Sequence, residues 1–128
     1  MKIEVSIGEV VDKITILQIK KEKIDNEAKL KYINEELTIL NETLKKENIE
    51  VPDGLVQNLK KVNKMLWETE DIIRLKEKNS AFDEDFVKHA RLDAILNDKR
   101  FLAKNEINNY CNSQIKEQKS YEGLYTAD

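Results

Sequence analysis

The sequence has few of the residues that build tight turns, disulfides and metal knuckles. It contains one proline, three glycines and one cysteine in 128 residues. A single cysteine excludes an intrachain disulfide and a paired-cysteine metal site. Scarce proline and glycine, with 37% charged and 40% hydrophobic residues, are typical of long helices rather than sheets. No apolar run approaches the length of about 18 residues that would predict a membrane-spanning helix.

An excess of positive charge is also missing, since the net charge is −3. The lysine pairs at 20–21, 45–46 and 60–61 stand among equal numbers of acids, which is typical of solvated helix faces. The N-terminal residues 1–4 lack the apolar core of a signal peptide. We therefore expect a cytoplasmic protein whose partners are neither nucleic acids nor membranes.

The start of the chain carries the clearest helix signal. Ser6 and Glu9 have the spacing of a capping box, in which each side chain binds a backbone N–H near the other. A helix is predicted from Ile7 to about Ile24. Ile16 and Ile19 lie opposite its main apolar face, so this helix should be covered on two sides, as a central or interface helix. The main apolar face comprises Ile7, Val10, Val11, Ile14 and Leu17.

Three further segments with apolar periodicity predict three more helices. The second follows a break at 25–26 and runs to about Glu47, the third runs from the cap Asp53 to about Lys78, and the fourth from about Glu84 to Ser113. The predicted fold class is all-α: residues 1–128 form a single domain resembling an antiparallel four-helix bundle with long helices. Helices two and three should form a hairpin on which helices one and four pack. The second helix has the 3-4 spacing of a packing seam at Leu30, Ile33, Leu37, Leu40 and Leu44.

Two features predict a homo-oligomer. The first helix has a second apolar face, and the fourth predicted helix is longer than its partners, so both would leave surface for another copy. The tail from about residue 114 to 128 carries Tyr121, Leu124 and Tyr125 around a glycine. We expect this tail either to be mobile or to dock on a partner.

Charged residues within the apolar stripes indicate a polar network. Glu70 and Asp98 fall inside the stripes of the third and fourth helices, so each should be partly buried and contact an arginine. Arginine is scarce, at 3 residues against 19 lysines, and provides a bidentate fork that lysine lacks. The predicted structural or binding network comprises Glu9, Asp12, Lys13, Trp67, Glu68, Glu70, Asp71, Arg74, Arg91, Asp98 and Arg100.

Two Glu-x-x-Asp pairs suggest a different kind of site. Glu9 and Asp12 lie one turn apart on the first helix, as do Glu68 and Asp71 on the third. Facing each other, these four carboxylates could hold Mg²⁺ or Mn²⁺. Helical pyrophosphohydrolases acting on nucleoside triphosphates use a similar acidic arrangement. In a chain with 25 acids, however, such pairs also arise by chance, and our first expectation is that no cofactor binds.

Four blocks of the sequence resemble a small family of uncharacterised bacterial and phage proteins. They are Ser6–Leu17 (SIGEVVDKITIL), Leu66–Arg74 (LWETEDIIR), Asn97–Arg100 (NDKR) and Lys119–Tyr121 (KSY). The resemblance extends over nearly the whole chain and implies an all-helical protein in which these polar blocks belong together. It implies no activity, cofactor or catalytic residue.

The sequence leaves two functional hypotheses. The favoured one is a non-enzymatic helical interaction or scaffold module that self-associates, with another protein as a further partner. The alternative is a metal-dependent hydrolase of a phosphorylated small molecule or nucleotide. The two differ in whether Glu9, Asp12, Glu68 and Asp71 converge on one solvent-open pocket.

Overall fold

A computed structural model shows four α-helices joined by short loops within residues 1–120. The structure describes residues 1–120, so the predicted tail beyond Ser120 lies outside the described residues. Residues 1–120 contain no strand, and the all-α fold class is confirmed. Within the same range, no helix combines the length and apolar character needed to cross a bilayer. The helices are α1 (Ile7–Lys23), α2 (Glu27–Lys46), α3 (Asp53–Lys78) and α4 (Glu84–Tyr110).

Side-chain caps fix the starts of three helices where the sequence places them. Ser6 Oγ accepts the backbone N–H of Glu9 at 3.1 Å. Asn26 and Asp83 cap α2 and α4 in the same way, at 3.0 and 2.8 Å. The Glu9 carboxylate does not complete a capping box with Ser6, because it pairs with Lys104 of α4 instead. α4 ends three residues before the predicted boundary.

α1 is the central helix of the fold. It packs against α2, α3 and α4, whereas α2, among these four helices, packs against α1 alone. Ile19 is buried and Ile16 half-buried, so both apolar faces of α1 are covered within one chain. Two buried apolar clusters hold α3 and α4 together, and α1 contributes to the first. These clusters are Val11, Leu59, Ala103 and Ile107, and Val62, Leu66 and Leu96.

The predicted hairpin of helices two and three is wrong. No Cα of α2 lies within 8 Å of a Cα of α3, and the hairpins of the fold are α1–α2 and α3–α4. The seam of α2 is real, since Ile33 is buried and its leucines are half-buried. A helix with one apolar stripe can cover that stripe with one partner. α1 takes this role for α2, and α4 takes it for α3.

The α3–α4 hairpin has two distinct halves. Every buried residue of α3 lies at or before Thr69, and every buried residue of α4 lies at or after Leu96. Residues 70–95, which span the end of α3, the loop and the start of α4, contain no buried residue. We call residues 70–95 the arm. It is a two-helix projection without a hydrophobic core of its own.

Candidate functional site

A buried polar junction forms where α1 meets α3 and α4. Its centre is Asp12 of α1, whose exposed fraction is 1%. Arg100 of α4 binds both carboxylate oxygens: Nε donates to Oδ1 at 2.9 Å and Nη2 donates to Oδ2. Asn63 of α3 donates from Nδ2 to the same Oδ1 at 2.9 Å. This bidentate, charge-assisted pairing is the strong form of the ion pair, and it joins three helices through one carboxylate.

The other polar groups of the junction form hydrogen bonds with one another. Asn63 Nδ2 also donates to Thr15 Oγ1 at 2.9 Å, and Thr15 Oγ1 donates to the backbone oxygen of Asp12 at 2.8 Å. The hydrogen bond from Arg100 to Asp12 raises the pKa of Arg100, so its charge is held firmly. Both oxygens of the Asp12 carboxylate therefore already accept hydrogen bonds, which leaves them poorly placed to bind a metal ion.

A second ion cluster lies one turn further along α4. The ammonium of Lys104 is nearly buried and contacts Glu9 Oε2 at 3.0 Å and Glu117 Oε1. Burial opposes this charge, but the hydrogen bonds to Glu117 and Glu9 outweigh it and raise the pKa of Lys104. Burial likewise opposes the charge of Glu117, yet the bond to Lys104 lowers the Glu117 pKa overall. Because Glu117 follows α4, this cluster attaches the segment 111–120 to the bundle.

The first turn of α1 is satisfied by side chains from the opposite end of the chain. The N–H of Gly8 donates to Asn108 Oδ1 at 2.6 Å, and the N–H of Ile7 donates to Ser113 Oγ at 3.1 Å. A Cβ at Gly8 would lie 2.5 Å from the backbone oxygen of Lys104. Gly8 therefore permits an approach of α1 to α4 that no larger residue allows. Asn108 and Ser113 accept hydrogen bonds from N–H groups that a helix start otherwise leaves unpaired.

The eleven residues of the predicted polar network do not form one network. Asp12 and Arg100 form the centre of the junction. Glu9 belongs to the neighbouring ion cluster, where it forms a salt bridge with Lys104. Lys13 is exposed, 3.6 Å from Glu36 of α2. Five further residues of the predicted network lie on α3 or in the arm and take no part in the junction. Trp67 is half-buried, and the other four are exposed: Glu68, Asp71, Arg74 and Arg91.

Glu70 and Asp98 were expected to be partly buried and paired with arginine. Glu70 is half-buried, and its Oε2 lies 3.8 Å from Nη1 of Arg74, which is an ion-pair distance but too long for the expected hydrogen bond. Burial and the neighbouring Asp93 nevertheless raise the pKa of Glu70. The Oδ1 of Asp93 is buried without a hydrogen bond from residues 1–120. Because its pKa is raised, the charged form of Glu70 is less favourable in the folded chain than in the unfolded chain. Asp98 is buried as predicted, while its contact with an arginine stays a prediction.

The four carboxylates proposed for Mg²⁺ or Mn²⁺ are not brought together. Glu9 and Asp12 line a cleft of about 260 Å³ between α1, α2 and Arg100. Glu68 and Asp71 are exposed on α3 and take no part in that cleft. Among residues 1–120, no three His, Cys, Asp or Glu side chains are placed to hold one metal ion. The Glu-x-x-Asp spacing places the two carboxylates of each pair on one face of a helix, but it does not determine which way that face points.

Sequence reasoning missed much of the junction. Small or amphipathic polar residues inside an apolar stripe were one signal, but such residues also occur on ordinary solvated faces. The glycine in the first turn of α1 was a second signal, since a glycine inside a helix often marks a close approach. The missed residues are Gly8, Thr15, Asn63, Lys104, Asn108, Ser113 and Glu117.

Comparison with known proteins gives one family and no function. No curated protein and no solved structure matches the chain. The model of one family, described as a family of unknown function (DUF6165), matches residues 1–127. This match covers nearly the whole chain and confirms that the chain resembles an uncharacterised family. The chain belongs to the family of unknown function DUF6165.

Proposed function

We propose that the protein is a non-enzymatic helical interaction module that self-associates in the cytoplasm of a bacterium or a phage-infected cell. The observation that carries this proposal is the arm, where apolar residues are exposed over 26 residues that contain no buried side chain. Leu75, Phe82 and Val87 are all more than half exposed there. The proposal assigns these exposed apolar side chains to the contact with a partner.

The polar junction supports the non-enzymatic part of the proposal. An acid–base catalyst needs a group free to exchange a proton with a substrate. The carboxylate oxygens of Asp12 instead accept hydrogen bonds from Arg100 and Asn63, and Lys104 forms salt bridges with Glu9 and Glu117. The hydrolase alternative also requires converging carboxylates, and Glu68 and Asp71 lie away from the cleft of Glu9 and Asp12. The proposal therefore assigns the junction a structural role and includes no cofactor.

The two features of the sequence that favoured self-association are both accounted for within one chain. Ile19 of α1 is buried and Ile16 is half-buried by the chain's own helices, so the second apolar face of α1 offers little surface to another copy. α4, with 27 residues, is matched by the 26 residues of α3, so it does not overhang its partner. The support now comes from the arm, which is an α3–α4 feature. Another protein with a complementary apolar face would be a further partner, whereas nucleic acids and membranes are not part of the proposal.

Light scattering coupled to gel filtration tests self-association directly. One chain has a mass of 15.0 kDa. We expect a particle of at least twice that mass at micromolar to millimolar concentration, with dissociation on dilution because the arm is short. A mass of one chain over the whole range would contradict the proposed function.

A further inference from the structure

We propose that the cleft between α1, α2 and Arg100 binds a small phosphorylated molecule, whose phosphate group contacts the guanidinium of Arg100 and the ammonium groups of Lys13 and Lys20. We call it the Arg100 cleft. Its volume of about 260 Å³ suits a small ligand, since pockets for drug-sized molecules begin at about 300 Å³. This inference goes beyond the proposed function, because it concerns a different surface and does not depend on self-association.

Arg100 has hydrogen-bond donors left after its pairing with Asp12. A guanidinium carries five N–H donors, and Arg100 uses only Nε and Nη2 to bind the two oxygens of Asp12. Within residues 1–120, Nη1 of Arg100 has no hydrogen-bond acceptor. The end of the guanidinium, formed by Nη1 and Nη2, therefore still presents two N–H groups side by side, a fork that binds phosphate through two oxygens. The Arg100 side chain is 30% exposed and borders the cleft, so a ligand can reach it.

The buried carboxylate of Asp12 fixes the orientation of this fork. Asp12 is itself held in place by Asn63 of α3, whose Nδ2 lies 2.9 Å from Oδ1. A free arginine side chain loses rotamer entropy when it binds a ligand, which weakens binding. Arg100 has already lost that entropy on folding, because it binds Asp12 through two hydrogen bonds. Its remaining donors are therefore preorganised for an anion.

Lys20 supplies a cation without an internal partner. It is half-buried and borders the Arg100 cleft. Within residues 1–120, no acid lies at ion-pair distance from its ammonium group. The Cα–Cβ bonds of a helix tilt toward its N-terminus, so the Lys20 side chain starts toward the end of α1 that carries Asp12. Lys13, which also borders the cleft, is paired loosely, at 3.6 Å from Glu36 Oε2.

The charges of the cleft leave a positive excess once the internal ion pairs are subtracted. Three acids and three cations border the cleft. Each of the three acids already has a cationic partner: Asp12 with Arg100, Glu36 with Lys13, and Glu9 with Lys104. Lys104 does not border the cleft, so the charge of Glu9 is balanced from outside it. Lys20 remains as the unpaired cation, and an anion in the cleft would neutralise it.

Phosphate fits these donors better than carboxylate does. A phosphate monoester has three terminal oxygens, of which two can bind the fork of Arg100 and the third a lysine. A carboxylate has two oxygens, and the fork alone uses both. Ile16 also borders the cleft and is half-buried, so it offers an apolar surface to the rest of the ligand. These features together favour a phosphorylated molecule over a carboxylic acid.

The position of Lys20 also has a purely structural explanation. It lies in the last turn of α1, where a positive charge interacts favourably with the helix dipole. Lys21 lies in the same turn, is exposed and does not border the cleft. The two lysines therefore share the dipole interaction, but only Lys20 faces the proposed ligand. Lys21→Gln is thus the matched control for Lys20→Gln.

Titration of the full-length protein with inorganic phosphate, followed by two-dimensional ¹H–¹⁵N NMR, tests the site. Sodium chloride at the same ionic strength is the reference. We expect saturable shifts of the Arg100 Nε–H signal, with a dissociation constant on the order of 1 mM. Lys20→Gln should raise this constant about fivefold or more, because a cation facing the phosphate is lost. Lys21→Gln should leave it within about twofold, since solvent screens its charge.

Removing an acid from the cleft should have the opposite effect. Glu36→Gln frees Lys13 from its partner and should lower the phosphate dissociation constant about twofold or more. Glu35 is the neighbouring acid on α2, is exposed and does not border the cleft. Glu35→Gln changes the net charge equally and should have less effect. Both acids are exposed, and circular dichroism checks that every variant keeps its helices.

Three outcomes would contradict this inference. Wild-type protein without saturable shifts, or equal losses in Lys20→Gln and Lys21→Gln, would overturn the proposed site. Acetate should bind several-fold more weakly than phosphate, and equal binding of acetate would overturn the assignment of the ligand to phosphorylated molecules. None of these results bears on self-association, which light scattering measures. A monomeric wild type would overturn the proposed function and leave this site in place.

Discussion

Replacing Gly8 with alanine should lower the free energy of unfolding by about 1–3 kcal/mol, the usual cost of overpacking a tight contact. The new Cβ would lie 2.5 Å from the backbone oxygen of Lys104 and 2.9 Å from Asn108 Oδ1. A backbone oxygen inside a helix cannot move aside, so α1 must shift away from α4. That shift would also lengthen the bond from the Gly8 N–H to Asn108. Alanine's better helix propensity, worth about 1 kcal/mol, opposes the loss without cancelling it.

Gly54→Ala is the matched control for this prediction. Gly54 lies in the first turn of α3, and a Cβ there would meet no atom within 4 Å. The same substitution should therefore be neutral or stabilise by up to about 1 kcal/mol, through propensity alone. Urea unfolding followed by circular dichroism measures both variants. If Gly8→Ala were as stable as Gly54→Ala, the close approach of α1 to α4 would not exist as described.

Removing the guanidinium of Arg100 should have an effect of similar or larger size. Arg100→Ala leaves Asp12, with an exposed fraction of 1%, without its cation and with Asn63 as the remaining side-chain donor. Breaking a buried ion pair from one side costs about 3–5 kcal/mol. The Arg100 side chain is 30% exposed, so water reaches part of the pair and we expect about 2–4 kcal/mol instead. Arg100→Lys should recover only part of this, since lysine cannot bind both oxygens in one plane.

Arg74→Ala is the matched control, because it removes an exposed arginine that lies outside the junction. Its side chain is 75% exposed, so its removal should change the unfolding free energy by about 0.5 kcal/mol or less. Both variants should be compared by urea unfolding at a low protein concentration, where dimer formation does not contribute to stability. A junction that stabilises the fold predicts a large difference between the two variants. Equal and small losses would show that the Asp12–Arg100 pair contributes no net stability.

The helices could be predicted from sequence because their signals are local. Ser6, Asn26 and Asp83 each cap the helix that follows, and a capping residue acts within one turn of its own position. The seam of α2 was equally visible as spacing along the chain. The pairing of helices was not, because α2 and α3 follow each other in sequence but are covered by different partners. The two-sided apolar character of α1 was the signal for the correct arrangement, in which α1 lies at the centre.

The candidate site was predicted only in part, for a related reason. Asp12 and Arg100 were noticeable as charges near apolar stripes, and they prove to be bonded to each other across 88 positions of sequence. Glu68 and Asp71 have the same local spacing as Glu9 and Asp12 but face solvent. Spacing fixes which residues share a helix face, whereas the rotation of that helix against its neighbours depends on long-range packing. The distant partners of the junction, such as Asn63, could not be recognised without that rotation.

Amide hydrogen exchange at two protein concentrations tests the central claim most directly: the polar junction holds the fold, and the arm is where copies meet. We predict that amides of α1 around Asp12 are already strongly protected at the lower concentration, because the junction lies within one chain. Amides at 70–78 and 84–95 should gain protection only at the higher concentration, as the arms pair. Gain of protection on α2 instead, or an arm whose protection does not depend on concentration, would contradict this account.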